Sequence, residues 1–106
     1  MGADKRFMKS LEFLISATKG GFNRARIIQA LLEKELNANQ LSKQLSLDYK
    51  TVLHHLEKLR KDNIVVQKSE KYGGVYSLTF DETKKHCFEQ IWSRIGQNNK
   101  NSKESE

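Results

Sequence analysis

The chain has 106 residues, enough for one domain with one modest core, and no apolar run approaches the ~20 residues of a membrane span. No apolar block followed by a small-residue cleavage site opens the sequence, so export is not expected; a single cysteine allows no internal disulfide and suits a reducing cytoplasm. The formal charge of +6 is uneven: residues 1–26 carry +4 and 49–72 carry +3, around a near-neutral 27–48 and a neutral 73–106. Two basic blocks of this kind are what a polyanion-binding face requires, although a lysine-rich solvated surface gives the same count.

Without proline and with little interior glycine, the composition favours helix. A first helix is expected over 5–18, with Phe7, Leu11, Leu14 and Ile15 as its apolar set, broken by Gly20-Gly21. A second starts from Asn23 as N-cap, with Phe22 and Ile27 spaced as a hydrophobic staple, and runs to about Lys34. A third, short helix follows Asn37, where Asn37 and Gln40 have capping-box spacing and Leu36 and Leu41 form the staple pair; it ends near Leu45.

The fourth helix is the most informative. Asp48 caps it, Leu47 and Val52 are spaced as its staple, and Val52, Leu56 and Leu59 fall on one stripe. Lys50, His54 and Lys61 point the opposite way with Lys58 nearby, so one side is free to donate hydrogen bonds while the other is buried. That is the shape needed to enter a DNA major groove. Leu53, at the edge of the stripe, reads as packing, and His55, about 60° off the stripe centre, as a partly buried structural histidine.

Asn63 can end this helix in the left-handed region. Ile64–Lys68 and Val75–Phe80 then read as two strands joined by a polar loop, with Tyr76, Leu78 and Phe80 alternating inward. Asp81 can cap a last helix to about Gly96, with an apolar seam of Phe88, Ile91 and Ile95 flanked by Cys87 and Trp92. The polar residues 97–106 are expected to be disordered. The fold class expected is therefore mainly α with a small β-hairpin: one winged helix-turn-helix domain over 1–96, with its core at 20–80 and flanking helices at 5–18 and 81–96.

The stretches Gly20–Ile28, Asn37–Leu41 and Leu47–Leu56 resemble the ArsR-type branch of winged helix-turn-helix regulators, most closely its archaeal members. The resemblance spans about residues 20–80 and implies a homodimeric regulator of transcription that reads double-stranded DNA. Two positions depart from the common pattern: Ser46 and Asn63 stand where glycine is frequent. Metal-sensing members carry paired cysteines beside the reading helix or in the terminal helices; here 38–45 holds neither cysteine nor histidine, and Cys87 is alone. The resemblance thus implies DNA binding without metal sensing, and no cofactor is expected.

The DNA-contacting candidates are Tyr49, Lys50, Thr51, His54, Lys58 and Lys61 on the reading helix, Asn39 and Gln40 on the helix before it, and Lys68, Lys71 and Tyr72 in the wing, 68–74. Lys50 can read a guanine or a phosphate; Tyr49 and Thr51 can bond phosphate oxygens or touch a thymine methyl. Arg24 and Arg26 oppose the dipole of the helix they open, which suggests a phosphate drawn to that end. Phe7, Leu11, Leu14, Phe88, Ile91, Trp92 and Ile95 can build a two-fold dimer interface or cover the core of a single chain. The alternative function is a winged-helix protein-interaction module with an inert reading face. No activated nucleophile, carboxylate pair, phosphate loop or zinc spacing suggests an enzyme. The partners expected are double-stranded DNA and a second copy of the chain, in the cytoplasm, with no membrane and no identifiable effector.

Overall fold

A computed structural model describes residues 5–68 and 73–104, with side-chain surroundings described as far as Ile95. The element order is α1 (Lys5–Glu12), a π-helical turn (Phe13–Ala17), α2 (Gly21–Glu33), α3 (Ala38–Leu45), α4 (Tyr49–Lys61), β1 (Val65–Gln67), β2 (Tyr76–Leu78) and α5 (Glu82–Glu104). This is the winged helix-turn-helix order with a helix on either flank. The chain divides into a central unit, Asn23–Thr79, and a terminal unit running from α1 to Phe22 and from Phe80 through α5.

In the central unit the caps expected from the sequence are formed. The Asn37 side chain accepts from the Gln40 amide at 2.7 Å while the Gln40 side chain accepts from the Asn37 amide at 2.8 Å, a reciprocal box that satisfies two orphan donors of α3. Asp48 accepts from the amides of Lys50 and Thr51 at the start of α4. Both helices also end alike. Ser46 at φ 56° lets the Leu47 amide reach the Ser42 carbonyl at 3.0 Å; Asn63 at φ 60° lets the Ile64 amide reach Leu59 at 2.9 Å. Each is a Schellman closure built without glycine.

The strands are shorter than the alternation suggests, pairing antiparallel over Val65↔Leu78, Val66↔Ser77 and Gln67↔Tyr76. Tyr76 has a second neighbour that periodicity does not reveal: its amide donates to the Leu36 carbonyl at 2.8 Å, so the residue just ahead of α3 forms a bridge with the return strand. Ile27, Ile28, Leu41, Val52, Leu56, Leu59, Ile64 and Val65 are buried.

In the terminal unit, α2 begins two residues earlier than its polar cap signal. The turn Thr18–Gly20, with Gly20 at φ 87°, places the Gly21 amide on the Thr18 carbonyl at 3.1 Å, so Asn23 lies inside the helix instead of capping it. Gly21 is required there, because a β-carbon would overlap the Ile15 carbonyl. Asp81 caps α5 through the Lys84 amide at 2.8 Å. The helix does not stop near Gly96 but continues to Glu104: the segment holds no proline, and one interior glycine costs only about 1 kcal/mol. An aromatic group fills this unit. Phe7 meets Phe80 edge-on at 5.5 Å, and Trp92 lies between Phe22 at 5.7 Å and Phe88 at 6.1 Å in a near-parallel stack.

Candidate nucleic-acid interface

Helix α4 has a sharply divided surface. Val52, His55, Leu56 and Leu59 are buried, whereas Tyr49, Lys50, Thr51, Leu53, His54, Lys58 and Lys61 are exposed. The two adjacent histidines fall on opposite sides of that division. His54 faces solvent; His55 is buried, with its Nδ1 3.3 Å from Arg24 Nη1. Guanidinium nitrogens only donate, so Nδ1 accepts and the His55 ring is neutral in this arrangement. Burial first, then the positive charges of Arg24, His54 and Lys58, lowers the His55 pKa to about 4.

Both arginines of α2, expected from the sequence to meet a phosphate, have partners within the fold. With α2 starting at Gly21, Arg24 closes its first turn and Arg26 lies in the second. Arg24 is 2% exposed and belongs to the interior. Arg26 is half-buried and donates to the Leu45 carbonyl at 2.8 Å and to the Asn23 side chain at 3.1 Å, capping the last turn of α3. The opposing dipole identified two unusual cations, and the partners described for them include a buried ring and a helix end.

Asn39 and Gln40 are exposed at the start of α3, where the Gln40 carbonyl is taken up by the capping box. Lys68 is exposed at the base of the wing and paired with Glu35 at 2.7 Å, a hydrogen bond that holds the Glu35 carboxyl below its ordinary range. Lys71 and Tyr72 lie outside the described residues. Glu57, on the exposed side of α4, is held by Arg60 at 2.6 Å. Sequence reasoning gave these two carboxylates no role, although Glu57 and Arg60 stand at the i, i+3 spacing that signals such a pair. It also assigned Leu53 to packing, whereas Leu53 is 37% exposed.

The residues proposed for a dimer face are mostly consumed within one chain. Phe7, Leu11, Leu14, Phe88 and Ile91 are buried, and only Trp92 and Ile95 are half-buried. Among the described residues of the terminal unit, the exposed large hydrophobic side chains are Phe13, 60% exposed in the π turn, and Phe22 at 37%. A sharply amphipathic pattern identifies an apolar face but not how much of it the chain covers by itself.

Residues 23–66 match the sequence model of the family described as bacterial regulatory protein, arsR family. The match begins one residue before the buried Arg24 and ends within β1. Among solved structures, the chain is similar to reduced HlyU from Vibrio cholerae N16961 (26% identity, TM-score 0.62, covering 83% of this chain and 87% of that one). It is also similar to a transcriptional regulator HlyU from Vibrio vulnificus CMCP6 (25% identity, TM-score 0.61, covering 80% and 84%). A possible transcriptional regulator from Methanosarcina mazei Go1 shares the fold at 22% identity and a TM-score of 0.52, with 88% and 85% covered. Comparison with curated protein sequences gives no match. The matched family is one of regulatory proteins, and none of these neighbours is described as an enzyme.

Proposed function

We propose that this chain is a transcription regulator that binds double-stranded DNA as a homodimer, with α4 in the major groove and the wing along the backbone or minor groove. The observation that carries the reading is the division of α4. Its apolar side is fully committed to the core, while Lys50, Thr51, His54, Lys58 and Lys61 stand exposed directly after a capped α3 and a closed turn. The match of residues 23–66 to a regulatory family supports the same assignment. Contacts of the lysines with phosphates would supply affinity, and the first turns of α4 would supply specificity. Phe13 and Phe22 support association of two copies through the terminal unit. Two-fold symmetry then sets half-sites one or more helical turns, ~34 Å each, apart.

The test is selection of the purified chain against a randomised duplex library at two salt concentrations. Enrichment of an inverted repeat, with affinity falling steeply as salt rises, is the expected result. Lys50→Ala should weaken the selected site about 5- to 150-fold and alter the preferred sequence if Lys50 reads a base. An unaltered preference would move Lys50 to the backbone. Salt-insensitive or absent duplex binding would favour a protein-interaction module, with the terminal unit as its surface.

A further inference from the structure

Leu53 is 37% exposed in the second turn of a helix whose neighbouring exposed positions are Lys50, Thr51 and His54. The core stripe of α4 is complete without Leu53, since Val52, Leu56 and Leu59 already fill it at 1% exposure or less. On the helix, Leu53 lies about 100° from the centre of that stripe, one turn beyond both Tyr49 and Lys50. Tyr49 is 48% exposed, so the two make an apolar pair at i, i+4 on the wing-facing shoulder of α4. Together with Asn39, Gln67 and Gly73 they line a shallow groove of about 110 Å³. A scattered exposed leucine needs no explanation; one set beside Lys50 on the side of α4 that would meet base edges does.

From this placement we infer that Leu53 is a specificity-determining residue that reads the 5-methyl group of a pyrimidine, thymine or 5-methylcytosine, in the major groove. The inference rests on the DNA-binding reading of α4. Thymine presents there one apolar feature that cytosine lacks, its C5-methyl, and an aliphatic side chain is the group that detects it by excluding water from both. Lys50, three residues before, can hold a guanine or phosphate next to it, so polar and apolar recognition would fall on adjacent positions of one strand. Leu53 has no hydrogen-bonding group of its own, and a contact of this kind discriminates by the presence of one methyl alone.

The experiment uses the full chain and the duplex it selects, with each thymine replaced singly by deoxyuridine, which removes only the methyl. The expected result is an affinity loss of about three- to fivefold at one thymine per half-site. Leu53→Ala should weaken the parent duplex by a similar factor and show no further loss at that position. Lys50→Ala should retain the uracil penalty. Placing 5-methylcytosine at the sensitive position, paired with guanine, should recover affinity relative to unmethylated cytosine. Tolerance of uracil at every thymine, or a penalty that persists in Leu53→Ala, overturns the inference while leaving DNA binding intact. Failure of the chain to bind any duplex overturns the DNA reading and the inference with it. Circular dichroism of Leu53→Ala and of Leu53→Gln keeps loss of fold apart from loss of contact.

Discussion

The central and terminal units bury apolar surface by different means. Asn23–Thr79 is specified by polar detail: two capped helices, two left-handed closures, a hydrogen-bonded Arg24–His55 pair and an arginine that caps α3. The terminal unit has the Asp81 cap and an Arg94–Glu12 ion pair but relies more on shape, with a stack of Phe22, Trp92 and Phe88, an edge-on Phe7–Phe80 pair, and Lys84 placed 4.6 Å above the Phe7 ring. Directional bonds hold the residues of α4 at fixed positions, which is what reading a base edge demands. Aromatic packing tolerates variation but leaves hydrophobic rings at the surface, and surface of that kind associates.

The largest effect expected from breaking this contrast lies in the central unit and depends on pH. The folded chain keeps His55 neutral down to a pKa of about 4, whereas the unfolded chain takes up a proton at about 6.5. Stability should therefore be independent of this group above pH 6.5, fall as pH drops from 6.5 to 4, and fall no further below. The loss amounts to at most about 3 kcal/mol, read from denaturant midpoints across that range. His55→Gln can still accept from Arg24, and it should flatten that interval. A profile unchanged by the substitution would assign the acid sensitivity to other groups.

In the terminal unit, Gly21→Ala should cost about 1–3 kcal/mol in thermal or denaturant unfolding, because the added carbon meets backbone, which cannot swing aside. A variant as stable as the parent would mean that the start of α2 can move. The smallest effect on stability is expected at Phe13→Ser, within about 0.5 kcal/mol, since the ring is exposed. That variant should nevertheless sediment as a lighter species if the terminal unit joins two copies. Unchanged sedimentation would release Phe13 from any role in association.

What the sequence made legible follows the same division. Asn37, Gln40, Asp48, Ser46 and Asn63 announce their places because caps and left-handed turns are local, involving residues within a few positions. The order of helices and hairpin, and the exposed side of α4, follow from that grammar and from periodicity. Long-range partners do not. Nothing near Arg24 in sequence reveals His55, and nothing near Lys68 reveals Glu35, because each pair is made by the fold. Leu53 was misjudged for a related reason: periodicity ranks residues by hydrophobicity, and cannot say that a stripe is already full. Nor can it say how much of an apolar face one chain covers by itself: Phe7, Leu11 and Phe88 are apolar enough for an interface and are buried within a single chain.

The bridge between Leu36 and Tyr76 also has a mechanical meaning. It joins the segment ahead of α3 directly to the return strand, so everything between those two residues, α3 and α4 included, forms a loop closed at its neck. Tension applied between Asn23 and Thr79 would run along α2, across that hydrogen bond and out through β2. The helix proposed to face DNA lies within that closed loop, so strain arriving along α2 would reach the neck before it reached the reading surface.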